Sequence, residues 1–151
     1  MYASKRKATD MTLDFTSDHG TMALKHLEND IVIWLTTVTP GGMPQPNPVW
    51  FVWDKDSKSV IVWVQPGSAR IRNFESNRQV SLHFATDELA SHMTVLTGLA
   101  EIDEELGSLA DHPPHLEKYA ERWQNMDMPI EVAARDYSVP IRIRPTKLRG
   151  F

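Results

Sequence analysis

Residues 60–84, VIVWVQPGSARIRNFESNRQVSLHF, change character three times. The stretch opens as an apolar run, 60–65, in which β-branched residues surround Trp63, the composition of a strand. Pro66, Gly67 and Ser68 end it with turn chemistry. The residues after this turn read as a short helix, and 79–85, QVSLHFA, returns to strand. The turn gathers hydrogen-bond donors. Gly67 lets the backbone come close to a ligand, and the Ser68 hydroxyl donates. Arg70 and Arg72 offer bidentate contacts, with Asn73 beside them. A helix N-terminus adds N–H groups and partial positive charge, so the ensemble suits an anion such as phosphate. A helix capped by Ser68 with solvated arginines uses the same letters. However, arginines in the first turn oppose the helix dipole, and local stability alone does not favour them.

Outward from this stretch the period is mostly two. Strands are expected at 31–39, 45–54, 60–65, 79–85 and 92–103, and a helix at 22–29 with Met22, Leu24 and Leu27 as its apolar members. Connections are short, which predicts an antiparallel sheet rather than βαβ units. The fold class is mainly β with flanking helices. Strands 31–39 and 49–53 are apolar on both faces, whereas a lone antiparallel sheet shows a polar outer face. A barrel core and a second covered surface follow, the cover being the chain's own helices or a second subunit. Pro44, Pro46 and Pro48 place their missing N–H groups on one side, which suits a strand at the sheet margin. Residues 104–124 read as acidic, mostly solvated helical pieces broken at Pro113 and Pro114. The end of the chain, from Tyr137, closes as a strand with Ile141 and Ile143 on one face. Arg142 and Arg144 lie on the other, as a basic edge or as part of an anion site.

A chain of 151 residues suits one domain, here 19–151, preceded by an extension over 1–18 expected to be flexible. The net charge of −4 argues against nucleic acid as the main partner. The absence of cysteine removes disulfide, iron–sulfur and thiol chemistry and fits a cytoplasmic setting. No apolar stretch is long enough to span a membrane, and KRK at 5–7 is not followed by the apolar core of a signal peptide. The pair of histidines in HPPH, 112–115, reads as a solvated loop rather than a metal site, and no metal is expected. Trp50, Trp53 and Trp63 suit core or dimer packing, yet a planar ligand also wants an aromatic wall with a polar group such as Asn47.

The span 60–84 resembles the strand–Gly-Ser–helix–strand core of the pyridoxamine 5′-phosphate oxidase-like split β-barrel superfamily. TTVTPGGMPQPNPVWFVWD, 36–54, is similar to the branch of deazaflavin (coenzyme F420)-dependent reductases, which carries a Pro-Val-Trp-aromatic strand and a basic–x–Arg–Asn turn. The resemblance covers about 30–102 and the terminal strand. It implies a homodimer with a flavin or deazaflavin at its interface. Asn47, Pro48, Val49 and Trp50 would then line the tricyclic ring, and Trp63 and Val64 would flank the ribityl chain. Ser68 and Arg70 would take the phosphate, with Arg72 and Asn73 beside them. FMN-using members show two basic residues after Gly-Ser, and here the first of these positions is Ala69. That departure favours coenzyme F420 over FMN. The implied activity is hydride transfer between F420 and a small conjugated acceptor: an enone, a quinone or a bilin-like tetrapyrrole. The rivals are an FMN oxidoreductase of the same fold and a non-catalytic cofactor- or tetrapyrrole-binding protein. No catalytic residue is assigned; Tyr137 and solvent are the candidate proton donors.

Overall fold

The computed structural model describes residues 9–151. Eight strands form one antiparallel sheet. They are β1 (Thr9–Thr12), β2 (Val32–Val38), β3 (Pro44–Trp50), β4 (Val52–Asp54), β5 (Ser59–Val64), β6 (Gln79–His83), β7 (Thr94–Ile102) and β8 (Val139–Gly150). The helices are α1 (Asp18–Asn29), α2 (Ala69–Ser76), α3 (Pro113–Asn125) and α4 (Ile130–Asp136). The order across the sheet is β3-β2-β6-β7-β8-β5-β4, with β1 pairing β8 off this path. The first eight residues of the expected extension lie outside the described residues; Thr9–Thr12 pair in register with 147–150.

The sheet closes at one residue. Stretch 45–54, expected as a single strand, is two strands: β3 pairs with β2, and β4 pairs with β5. These are the two ends of the sheet order, yet only Phe51 separates them. So short a piece of chain spans about 7 Å, so the two ends must meet and the sheet must curl into a barrel. Phe51 joins neither ladder, and its backbone is satisfied from α3. Its N–H donates to the Tyr119 hydroxyl at 2.9 Å, and its carbonyl accepts from Lys118 Nζ at 2.9 Å. The same hydroxyl donates to the Ile31 carbonyl at 2.7 Å. Periodicity could not show this break, because Phe51 is as apolar as its neighbours.

The prolines of β3 sit at the margin, where a strand needs N–H groups on one side alone. α1 starts at Asp18, four residues before the expected helix, because the Ser17 hydroxyl accepts from the Gly20 N–H and caps it there.

Two cores account for the two-faced strands. Ile33, Leu35, Val60, Val62, Leu82, Leu96, Ile141 and Ile143 fill the barrel. Val52, Ile61 and Trp63, on the outer face of β4 and β5, pack under Tyr119, Trp123, Leu109 and Ala133. The cover on that side is the chain's own α3 and α4. Residues 104–124 are exposed over more than half their length, yet they also carry a buried helix face, His115, Tyr119 and Trp123, spaced four apart. HPPH is not a loop, since Pro113 and Pro114 occupy the first positions of α3, where a missing N–H costs nothing. On the outer face of β2 and β7, Val32, Trp34 and Leu99 are each more than a third exposed.

Arg142 is resolved as a structural cation. It donates from Nε to Asp103 at 2.7 Å and from Nη1 to Asp54 at 3.2 Å and to Ser59 at 2.6 Å. These contacts tie β8 to the β4–β5 hairpin, and they hold the Arg142 pKa above its ordinary value despite burial. Arg144 pairs with Glu101.

Candidate functional site

A cavity of about 450 Å³ lies between the Phe51 closure and the α3–α4 layer. Its wall on the sheet side is Pro48, Val49, Trp50, Trp63 and Val64, with Arg70 reaching in from the first turn of α2. Leu109, His115, Trp123, Met126 and Met128 complete the lining from α3 and the segments that flank it, and Tyr137 stands beside Arg70. Six of the ten residues expected at the site thus line one cavity. Asn47, Ser68, Arg72 and Asn73 do not.

Local geometry explains the division. Gly67 has φ +74°, a left-handed conformation that turns β5 sharply into α2, and a Cβ there would meet nothing within 4 Å. Ser68 caps α2, accepting from the Arg70 backbone N–H at 3.3 Å and from Arg70 Nη1 at 3.1 Å. Arg70 is half-buried, and its Nε is buried with no hydrogen-bond partner among the described residues. Desolvation draws its pKa down and Tyr137 opposes this; a guanidinium stays charged regardless. Arg72 is exposed and folds back on the turn, donating to the Gly67 carbonyl at 2.8 Å. Asn73 is buried and committed inside, donating to Thr37 Oγ1 and Gln45 Oε1 at 2.9 and 2.8 Å. It fastens α2 to β2 and β3.

The aromatic wall is ordered. Trp50 stacks on Tyr119 with ring centroids 4.5 Å apart and meets Trp123 edge-on at 4.7 Å. The Trp63 indole N–H donates to the Gly107 carbonyl at 2.9 Å, and its ring meets His115 edge-on. His115 itself is 3% exposed and accepts from Trp123 Nε1 at 3.2 Å. Burial, with the nearby His112 and Lys118 charges adding to it, lowers the His115 pKa to about 4. Burial likewise lowers Lys118 to about 8. Among the described residues no group of three or more His, Cys, Asp or Glu side chains is placed to hold a metal ion. No helix among them is long and apolar enough to cross a membrane.

His115 makes stability depend on acid. Its folded pKa lies below the ordinary 6.5, so the unfolded chain takes a proton first as pH falls. The stability present above 6.5 is therefore lost between 6.5 and about 4, by about 2–3 kcal/mol. Urea unfolding at neutral and acid pH should show this loss in the wild type and its removal in His115→Phe. Equal acid sensitivity in both proteins would exclude His115 as the cause.

The α3–α4 wall was missed in the sequence because 104–124 looked acidic. The i, i+4, i+8 spacing of His115, Tyr119 and Trp123 was the available signal.

Fold and cavity define a split-barrel chain with a half-buried arginine beside an aromatic slot. Residues 22–149 match the family model for pyridoxamine 5′-phosphate oxidase, and the chain belongs to that family. Among solved structures it is similar to an F420 reductase, at 24% identity and TM-score 0.57 over 81% of this chain and 91% of that one. It is also similar to a putative pyridoxamine 5′-phosphate oxidase from Listeria innocua, at 21% identity and TM-score 0.61 over 87% and 96%. The haem storage protein HutZ from Vibrio cholerae is similar at 18% identity and TM-score 0.56 over 84% and 93%. No curated protein matches the sequence. At these identities the solved structures speak for the fold.

Proposed function

We propose that the cavity binds a phosphate-bearing deazaflavin, coenzyme F420, and that the chain is an oxidoreductase passing a hydride between it and a small conjugated acceptor. The observation that carries this reading is Arg70: a half-buried cation on the cavity wall with an unpartnered Nε, at the N-terminus of a helix. An orphaned guanidinium donor beside an open Gly67 turn fits a phosphate. The bound group supplies the hydride chemistry. The chain's part is to hold and orient. Arg70 and the capped start of α2 take the phosphate, with Ser68 fixing the guanidinium and Arg72 adding positive potential at the turn. Pro48, Val49 and Trp50 form the apolar edge against the ring, with Asn47 next along β3, and Trp63 and Val64 flank the linking chain. Asn73 acts by keeping α2 on the barrel. Ala69, in place of a second basic residue, favours F420 over FMN. A second copy of the chain would cover the exposed face around Val32, Trp34 and Leu99.

Fluorescence titration of the cofactor-free protein with F420, FMN and haem tests the reading, with sedimentation for the dimer. Micromolar or tighter F420 binding, preferred over FMN, is the expected result. Preference for FMN overturns the choice of cofactor and leaves Arg70's role intact. Binding of haem alone would favour a tetrapyrrole-binding protein instead.

A further inference from the structure

His115 carries a donor that no group among the described residues uses. An indole nitrogen can only donate, so the 3.2 Å contact from Trp123 Nε1 makes His115 Nε2 the acceptor. In the neutral ring the proton then sits on Nδ1. That atom is buried, and no group among the described residues accepts from it. A native chain rarely leaves a buried donor unmade, and those it does leave call for a reason. The ring borders the cavity, between the edge of Trp63 and the Trp50–Trp123 pair.

We propose that the α3 wall of the cavity is an acceptor subsite for a flat, apolar conjugated carbonyl compound, its oxygen taking the hydrogen bond from His115 Nδ1. This rests on the reading of the cavity as a cofactor-and-acceptor site and names the acceptor's half of it. Leu109, Met126 and Met128 supply apolar and adaptable surface, and Trp63 and Trp123 supply flat ones. An uncharged imidazole offers a hydrogen bond without a charge, so a neutral ketone oxygen suits it better than a carboxylate. The cation, Arg70, comes from α2 and His115 from α3, so phosphate and carbonyl are met by different elements. His112, whose Nδ1 is also buried and without a partner among the described residues, packs edge-on with Trp63 as well.

The test needs no loaded cofactor. 1,4-Naphthoquinone, naphthalene and 1-naphthoate are titrated calorimetrically into wild type, His115→Phe and Arg70→Ala. The expected result is naphthoquinone binding weakened about five- to tenfold in His115→Phe, with naphthalene unchanged and naphthoate weak throughout. An equal effect on naphthoquinone and naphthalene, or none on either, overturns the subsite. Nitrogen-15 spectra of wild-type histidines keep the proposal testable should His115→Phe fail to fold. They should show His115 protonated on Nδ1, with that nitrogen shifting on adding naphthoquinone and not naphthalene. The opposite tautomer, or no shift at saturation, overturns the assignment. F420 affinity in the same variants separates the two readings: lost in Arg70→Ala alone, it supports the cofactor site; absent in wild type while the naphthoquinone result holds, it removes the cofactor and leaves the carbonyl subsite.

Discussion

Tyr119→Phe should lower the unfolding free energy by about 2–4 kcal/mol, although it removes one oxygen and no packing. The Tyr119 side chain is fully buried, so solvent cannot replace its hydroxyl. Two backbone groups depend on it: the Phe51 N–H and the Ile31 carbonyl. Each buried polar group left unpaired costs about 1–3 kcal/mol. Burial holds the Tyr119 pKa well above the usual phenolic value, so the proton needed for donation stays in place. For a chain of this size the loss corresponds to roughly 5–15 °C in melting temperature. The position matters because the β3 and β4 ends of the sheet meet at Phe51, and loosening that backbone loosens the closure. Denaturant unfolding of Tyr119→Phe against Tyr137→Phe, whose ring is partly exposed, checks the expectation. A loss below about 1 kcal/mol, no larger than for Tyr137→Phe, would mean that the closure is held by packing.

The same residue shows what a sequence can and cannot say. Strands, turns and the proline-marked margin follow from periods and residue types that act locally, and these were legible. So was the Gly67–Ser68 turn into α2, because glycine's freedom and serine's capping are local properties. The break at Phe51 was not, since its cause is a hydroxyl 68 residues away. The residues expected at the cofactor site divided in the same manner. Pro48, Val49, Trp50, Trp63, Val64 and Arg70 come from two stretches that the barrel brings together, and their pattern carries the family resemblance. Asn73 looked like part of an anion site because donors cluster there, whereas its amide is consumed by Thr37 and Gln45 from distant strands. The wall from α3 escaped because its charge masked a buried face whose four-residue spacing was visible. Arg142 was ambiguous by composition alone; the carboxylates that claim it, Asp54 at the end of β4 and Asp103 just after β7, lie far apart in the sequence.

Arg70→Ala should weaken F420 binding by about 1.5–3 kcal/mol, a loss of roughly 10- to 150-fold in affinity, the scale of a charge-assisted hydrogen bond made in a partly desolvated site. Arg72→Ala should do much less, because Arg72 is exposed and already donates to the Gly67 carbonyl. Arg70→Lys keeps the charge but loses the planar fork and should fall between. Stability separates a ligand-holding arginine from a structural one. The described protein contacts of Arg70's guanidinium are with its own helix cap, and its Nε is desolvated without a partner. Removing it therefore relieves a buried orphan, and Arg70→Ala should be as stable as the wild type or slightly more so. An arginine that served the fold would behave like Arg142, where truncation strands Asp54, Asp103 and Ser59. Fluorescence titration with F420 and urea unfolding of the same samples decide the matter together. Lost affinity with retained stability assigns Arg70 to the phosphate. Unchanged affinity in a folded Arg70→Ala would remove the cation on which the whole reading of the cavity depends.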